Sequence, residues 1–182
     1  MNPARQPRVR LFRPLALVLA ALLTAAPRCP MAFAGVQPPR VGIRDLSALA
    51  VPEAPFDRHA DAPRDVAAAF ARAGAAHKLV LLDLGANWCA DCRILAGIME
   101  LPEVRRFLDS HYVVVNVDVG RFDRNLQIPK RFGFMARLAG LPAVLIAEPG
   151  GVLVNAGHTD ALLGAGQMQP QAVVDWLASW AR

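Results

Sequence analysis

One segment limits the folds open to this chain more than any other: an apolar run that leads directly into two cysteines. Residues 78–84 are rich in Leu and Val and have the length of a buried strand. A loop over residues 85–89 follows, and Cys89 and Cys92 then open a helix over residues 90–100. This order of strand, loop, cysteine pair and helix predicts an α/β domain with thiol chemistry at a helix start.

Cys89 and Cys92 have the spacing of a pair that exchanges disulfides. A helix N-terminus carries unpaired N–H groups and the positive end of the helix dipole, so it stabilises a thiolate on Cys89. The thiolate is the nucleophile of disulfide exchange. Cys92 lies one helical turn inward, where its sulfur can attack a mixed disulfide on Cys89 and release the product.

The remaining pattern predicts a small mixed β-sheet with helices on both faces. We expect helices over residues 64–77, 90–100, 102–109 and 125–137 and from Pro170, and strands over residues 78–84, 112–119, 143–147 and 152–156. The early β-α-β steps favour parallel strands with right-handed crossovers. A Pro-Gly-Gly turn at residues 149–151 predicts an antiparallel hairpin at the edge of the sheet.

The first 34 residues have the three parts of a secretory signal peptide. The arginines come first: Arg5, Arg8, Arg10 and Arg13. The apolar run at residues 15–26 is shorter than the roughly 20 residues that span a bilayer. Because Ala32 and Ala34 form an A-x-A cleavage site, we expect cleavage after Ala34 and a periplasmic or secreted protein. An uncleaved N-terminal anchor is the alternative.

Removal of this leader changes both the net charge and the number of cysteines of the mature chain. The chain carries 20 basic and 15 acidic residues, a net charge of +5, and the leader holds five arginines and no acid. The mature chain is therefore formally neutral, which removes the argument for nucleic-acid binding. Cys29 leaves with the leader, so Cys89 and Cys92 remain as an even pair that suits an oxidising compartment.

Proline divides the mature chain into two parts. Residues 35–63 contain five prolines, which interrupt regular elements, so we interpret them as an extended arm or linker. The stretch at residues 46–51 is apolar enough to pack on the domain. Residues 64–182 are expected to form that domain.

The cysteine pair gives no indication of a metal site or a cofactor. A structural zinc site takes four ligands, and the mature chain has no second cysteine pair. Its four histidines are scattered without the spacing of ligands. We therefore expect neither a metal nor another cofactor.

The motif around the cysteines resembles the active site of the thioredoxin family. Trp88 precedes the pair, and Asp83 stands six residues before Cys89, where the family has a buried acid. Gly140, Leu141 and Pro142 resemble the family's cis-proline loop, which packs on the cysteines and pairs with the substrate backbone. Gly157 resembles a later glycine at the same groove. Residues 101–104 and 112–118 are further similar to an exported thioredoxin-like branch, which includes the periplasmic domain of a thiol-reductant transporter.

The resemblance implies roles for these residues. Asp83 lies among leucines, and burial raises the pKa of a carboxyl that has no cation beside it. Such a group takes the proton of Cys92 as that thiol attacks, the general-base role that the acid has in the family. Trp88, Leu141 and Pro142 would contact the substrate, with Trp88 covering the site.

Three departures from the family pattern affect the expected chemistry. Ala90 and Asp91 stand between the cysteines in place of Gly-Pro, and Asp91 would repel a thiolate on Cys89. Val114 occupies the position of the family's lysine that partners the buried acid. The stretch at residues 118–142 is longer than in a minimal thioredoxin and carries a cluster of basic residues, Arg121, Arg124, Lys130, Arg131 and Arg137.

These features indicate a thiol–disulfide oxidoreductase but leave the direction of electron flow open. The first hypothesis is a reductase of disulfide-containing exported proteins, recharged by a membrane thiol-reductant donor. An oxidase or isomerase on the same fold is the second. A binding module with little turnover is the third. The membrane is expected to be involved through the leader alone.

Overall fold

The computed structural model describes residues 36–134 and 138–182, so the predicted leader lies outside the described residues. The elements in chain order are α1 (Ala62–Ala76), β1 (Leu79–Gly85), α2 (Ala90–Glu100), α3 (Pro102–His111), β2 (Tyr112–Asp118), α4 (Gln127–Lys130), β3 (Ala143–Ala147) and α5 (Pro170–Ser179). Short 3₁₀ turns occur at Leu46–Ala48 and Ala165–Gln167. Within the described ranges no helix is long and apolar enough to cross a bilayer.

The sheet has the strand order β2-β1-β3. β1 pairs in parallel with β2 and antiparallel with β3, which confirms the mixed sheet predicted from the sequence. All seven residues of β1 are buried because this central strand has a neighbour on each side and helices on both faces. The parallel register sets Asp83 opposite Asn116, and the antiparallel register sets Asp83 opposite Val144.

Alternate residues of β1 project to opposite faces of the sheet and belong to separate cores. Leu79 and Leu81 pack with apolar side chains of α2, α3 and α5. Val80, Leu82 and Leu84 pack with apolar side chains of α1. The odd-numbered residues of β1 therefore point to the face that carries the cysteine helix.

The fourth strand predicted at residues 152–156 does not form. After β3 the chain makes one isolated antiparallel bridge, between Ala147 and Leu153. The side chain of Asn155 then makes hydrogen bonds that a neighbouring strand would otherwise make. Its Oδ1 accepts from the Ile146 N–H at 2.9 Å, and its Nδ2 donates to the Val144 carbonyl at 2.8 Å. A fully buried amide thus satisfies the backbone groups that a continued ladder would have used.

The helix predicted over residues 125–137 is wrong over most of its described length. Only α4, four residues long, is helical. Asn125 has a left-handed backbone (φ 54°), and its Nδ2 donates to the Asp118 carbonyl, which ties the start of the segment into a loop. Gly133 has φ 92° and ends any helical continuation. Residues 135–137, the last part of the prediction, lie outside the described residues.

Residues 36–61, which precede α1, form an arm that packs against the helices and the core. The Val41 N–H donates to Gln171 Oε1 of α5 at 3.1 Å, and the Gly42 N–H donates to Glu103 Oε1 of α3 at 2.9 Å. Leu49 is buried in the core on the cysteine-helix face of the sheet. Closer to the cysteines, Nε of Arg93 donates to the Pro52 carbonyl at 2.9 Å.

Candidate active site

The two cysteines lie at the start of α2, where the sequence predicts them. Cys89 is the N-cap residue, with an extended backbone at φ −84° and ψ 112°. The N–H of Cys92 donates to the Cys89 sulfur at 3.1 Å, so the sulfur accepts from an otherwise unpaired N–H of the first helical turn. The cysteines are joined as a disulfide.

The two sulfurs differ in their access to solvent. Cys89 keeps 6% of its surface exposed, whereas Cys92 is fully buried. The apolar side chains packed on them are those of Phe56 and Leu141. Phe56 comes from the arm, and sequence reasoning missed it; an isolated aromatic residue in a Pro-rich stretch was the only indication of its burial.

Asp83 lies in the middle of β1, fully buried, on the face that carries α2. Neither carboxylate oxygen has a hydrogen-bond partner among the residues that the structure describes. Burial alone raises the pKa of this carboxyl to about 7, with no charged neighbour contributing. Val114, at the position where the resemblance places a lysine, is opposite Leu81 and packs in the apolar core.

The loop before β3 lies against the redox pair. The peptide bond between Leu141 and Pro142 is cis, as the resemblance implied. Leu141 packs against the cluster of Phe56, Cys89 and Cys92. Gly157, the later glycine of the resemblance, has φ 80°, a left-handed conformation that favours glycine.

Trp88 is half exposed, with 52% of its surface accessible, and directly precedes Cys89. Its indole Nε1 donates to the Gly120 carbonyl at 2.8 Å. The guanidinium carbon of Arg121 lies 5.4 Å from the ring centroid, within the range of a cation–π contact. These two contacts hold Trp88 against the beginning of the longer stretch that follows β2.

Two of the described basic residues of that stretch, Arg121 and Arg124, have partners close to Trp88. Arg124 pairs with the carboxylate of Asp118 at 3.1 Å and lies 3.8 Å from that of Asp123. Arg121 lies over Trp88. Arg137 is outside the described residues. Arg121 and Arg124 line a surface cavity that Trp88 also lines.

Asp91, between the cysteines, is engaged in the fold. Its Oδ1 accepts from the Gly166 N–H at 2.8 Å, which links the first turn of α2 to the 3₁₀ turn before α5. Within residues 36–134 and 138–182, no group of three or more His, Cys, Asp or Glu side chains is placed to hold a metal ion.

Comparisons with known proteins agree with this geometry. Residues 61–149 match the thioredoxin-like family. A crystal structure of a disulphide isomerase from Xylella fastidiosa Temecula1 superposes with a TM-score of 0.64 at 36% sequence identity, and covers 68% of this chain and 94% of its own. A cysteine pair at a helix start beside a cis-proline loop defines the class of thiol–disulfide oxidoreductases. The chain belongs to the thioredoxin-like family and is a thiol–disulfide oxidoreductase.

Two further relatives give sequence matches over about half of this chain. A thioredoxin from Rickettsia bellii is 28% identical over 98 residues, which is 54% of this chain and 77% of that protein. The thiol:disulfide interchange protein DsbD 1 from Pseudomonas aeruginosa is 35% identical over 92 residues, or 49% of this chain. This chain spans 15% of the length of DsbD 1.

Proposed function

We propose that this protein reduces disulfides in exported partner proteins through Cys89 and Cys92. The observation that carries the proposal is the N-cap position of Cys89, whose sulfur accepts the N–H of Cys92. A thiolate at that atom is stabilised by the same N–H and by the dipole of α2.

In the first step the Cys89 thiolate attacks one sulfur of the partner's disulfide. The sulfur–sulfur bond of the partner breaks, a mixed disulfide between Cys89 and the partner forms, and the second partner sulfur leaves as a thiolate that takes a proton from solvent. The small exposed part of Cys89 is the point of attack, because Cys92 has no exposed surface.

In the second step Cys92 resolves the mixed disulfide. Its thiol gives a proton to the Asp83 carboxylate, and the Cys92 sulfur attacks the Cys89 sulfur. The Cys89–Cys92 disulfide forms, and the remaining partner sulfur leaves as a thiolate. Two electrons have then moved from the protein to the partner. The raised pKa of Asp83, about 7, supports its role as a base near neutral pH.

Trp88, Leu141 and Pro142 are proposed to contact the partner around the bond that breaks. Leu141 packs on the redox pair, and Trp88 offers a half-exposed ring next to Cys89. Arg121, held over that ring, lies at the same surface. Contact with Pro142 follows the family resemblance.

Export and an outside electron donor complete the proposal. The leader pattern of residues 1–34 supports a periplasmic or secreted location. After each turnover the Cys89–Cys92 disulfide must accept two electrons from a dithiol donor. The similarity to a thiol:disulfide interchange protein supports a membrane thiol-reductant donor.

The reduction potential tests the direction of electron flow. Equilibration of the protein with glutathione redox buffers should give a value nearer the thioredoxin end of the scale, about −270 mV, than the strong-oxidant end at about −120 mV. A value above about −150 mV would contradict the proposal of a reductase and favour an oxidase. The similarity to a disulphide isomerase keeps the oxidase or isomerase as the second candidate function.

Two cysteine variants separate turnover from binding and identify the partner. Cys92→Ala leaves the mixed disulfide on Cys89 unresolved, so it should trap partners that a reducing agent releases. Cys89→Ser should abolish activity in cells. Full activity of Cys89→Ser would instead identify a binding module.

A further inference from the structure

A short part of the arm crosses the redox site and lies outside the residues that match the family, 61–149. The backbone of Phe56 makes two hydrogen bonds with the side-chain amide of Asn87. Its N–H donates to Asn87 Oδ1 at 2.9 Å, and its carbonyl accepts from Asn87 Nδ2 at 2.8 Å. Asn87 lies two residues before Cys89, so the loop that carries the nucleophile also holds the arm.

The ring of Phe56 fills the space left by a missing side chain at Gly85. A Cβ atom built on Gly85 would come within 2.7 Å of Cε1 and 2.9 Å of Cε2 of the Phe56 ring. Residues two apart in a strand share a face, so Gly85 and Asp83 point the same way. Phe56 therefore lies against β1 at Gly85, on the face that Asp83 shares, while it packs on Cys89 and Cys92.

The carbonyl of Pro55 accepts a hydrogen bond from Asn116, a polar residue of the neighbouring strand β2. Asn116 is the register partner of Asp83, and paired strands lie roughly 4.8 Å apart. The Asn116 amide could therefore donate to Asp83. Instead its Nδ2 donates to the Pro55 carbonyl at 3.2 Å, and both oxygens of Asp83 stay without a partner within the described part of the chain.

We propose that Pro55 and Phe56 are positioning residues of the redox site: Phe56 keeps water from Asp83 and Cys92, and Pro55 keeps the Asn116 amide from Asp83. The consequence for catalysis rests on the proposed role of Asp83 as a base. The shielding itself does not rest on that role. The contacts of Pro55 and Phe56 are the same whether the protein reduces or oxidises its partner.

Among residues 36–134 and 138–182, no charged group contributes to the raised pKa of Asp83. Asn116 is its register partner on β2 and Val144 its register partner on β3, and Phe56 of the arm lies against Gly85, two residues along the same face of β1. Desolvation is the whole cause of its raised pKa. If water or the Asn116 amide reached the carboxylate, its charged form would be stabilised and its pKa would fall toward the ordinary value.

The test measures the ionisation of Asp83 directly in the full, oxidised chain. Carbon-13 NMR of labelled aspartate carboxyls, assigned with Asp83→Asn, gives the titration midpoint of Asp83 in wild type, Phe56→Leu and Phe56→Ala. The midpoint should fall by about one pH unit or more in Phe56→Ala, a tenfold weaker proton affinity, and by less in Phe56→Leu. Phe107→Leu, which thins a buried aromatic on α3, is the matched control and should leave the midpoint in place.

A second measurement follows the resolving thiol in the Cys89→Ser background. Trypsin cleavage after Lys78 and Arg93 then gives a peptide with Cys92 as its one cysteine. Alkylation of Cys92 should be about tenfold faster with Phe56→Leu than without it, and Phe107→Leu should not accelerate it. If Phe56→Ala does not fold, Phe56→Leu decides the outcome by both measurements. An unchanged titration midpoint of Asp83 together with an unchanged alkylation rate of Cys92 would overturn this proposal. A reduction potential at the oxidant end of the scale would instead overturn only the proposal that the protein is a reductase.

Discussion

The backbone N–H of Cys92 donates a 3.1 Å hydrogen bond to the sulfur of Cys89, while the sulfur of Cys92 itself is buried. In the reduced protein this geometry is expected to favour a thiolate on Cys89, while Cys92 is kept away from solvent. The two thiols of the reduced protein are expected to have different reactivities.

Alkylation of the reduced protein measures this difference. Cys89, in the Cys92→Ser variant, should react at neutral pH at least about tenfold faster than Cys92 in the Cys89→Ser variant, because a helix N-terminus favours its thiolate and part of it is exposed. Denatured samples of both variants serve as controls and should react alike. Equal rates in the folded proteins would contradict the assignment of nucleophile and resolving thiol.

Replacement of the buried acid should affect one step of the reaction. In Asp83→Asn, release of the mixed disulfide should slow on the order of a hundredfold, because the resolving thiol loses its proton acceptor. Formation of the mixed disulfide should stay close to the wild-type rate. Stopped-flow kinetics with a peptide disulfide separates the two steps, and an unchanged release rate would remove Asp83 from the mechanism.

The same carboxyl should make stability depend on pH. Its pKa is raised from 3.8 to about 7 by burial, so the folded state binds its proton more tightly than the unfolded state does. The free energy of unfolding should therefore fall as pH rises from about 4 to 7, by at most about 1.4 kcal/mol per pH unit from this group. Below about pH 4 the Asp83 carboxyl is protonated in both the folded and the unfolded state, so its stabilising contribution is fully present.

Urea unfolding of the oxidised protein at several pH values gives this slope. Other carboxyls, such as Glu103 with its lowered pKa, contribute equally in wild type and in Asp83→Asn. The difference between the two proteins therefore isolates Asp83, and it should grow in favour of the variant toward pH 7. Parallel curves would show that the buried carboxyl does not titrate in this window.

Gly85 should not accept a side chain. Gly85→Ala drives a methyl group into the Phe56 ring, and overpacking of this kind costs about 1–3 kcal/mol of stability. Gly74→Ala is the matched control, since its new methyl would lie 3.7 Å from Pro149 in ordinary contact and should stabilise α1 by about 0.5–1 kcal/mol. In a Phe56→Ala background, Gly85→Ala should cost less, because the ring it meets is gone. Additive losses in the double variant would exclude this contact as the cause.

Asp91 should lower the reduction potential through its charge. Asp91→Asn keeps an oxygen that can accept the Gly166 N–H but removes the charge that opposes a thiolate on Cys89. The couple should become more oxidising in Asp91→Asn and further so in Asp91→His; a shift of about 30 mV corresponds to about 1.4 kcal/mol for two electrons. A potential that stays constant across these variants would mean that the Asp91 charge does not reach the sulfur.

Local sequence predicts the redox pair well because its determinants are local. The start of α2 at Ala90 follows from an apolar run, a short loop and a cysteine at the N-cap. The burial of Asp83 follows from the leucines around it in β1. Both features depend on residues within one strand and one helix, where hydrophobic periodicity carries most of the information.

The parts that the sequence did not predict depend on distant partners. Phe56 is buried because Gly85, almost thirty residues later, leaves room for its ring. Residues 152–156 are apolar enough for a strand, yet the side chain of Asn155 is drawn inward to bond Val144 and Ile146. Neither outcome can be read from a window of ten residues, because each is decided by tertiary hydrogen bonding and packing.

The side chain of Asn155 has a consequence for behaviour at high concentration. An open strand edge invites pairing with another molecule and is a common start of aggregation. On the outer edge of β3 the backbone groups of Val144 and Ile146 are all occupied, by the Asn155 amide, the Thr159 carbonyl and the Val154 N–H. The Asn155 amide, together with the Val154 N–H and the Thr159 carbonyl, thereby closes the outer edge of β3 to pairing with further copies of the protein.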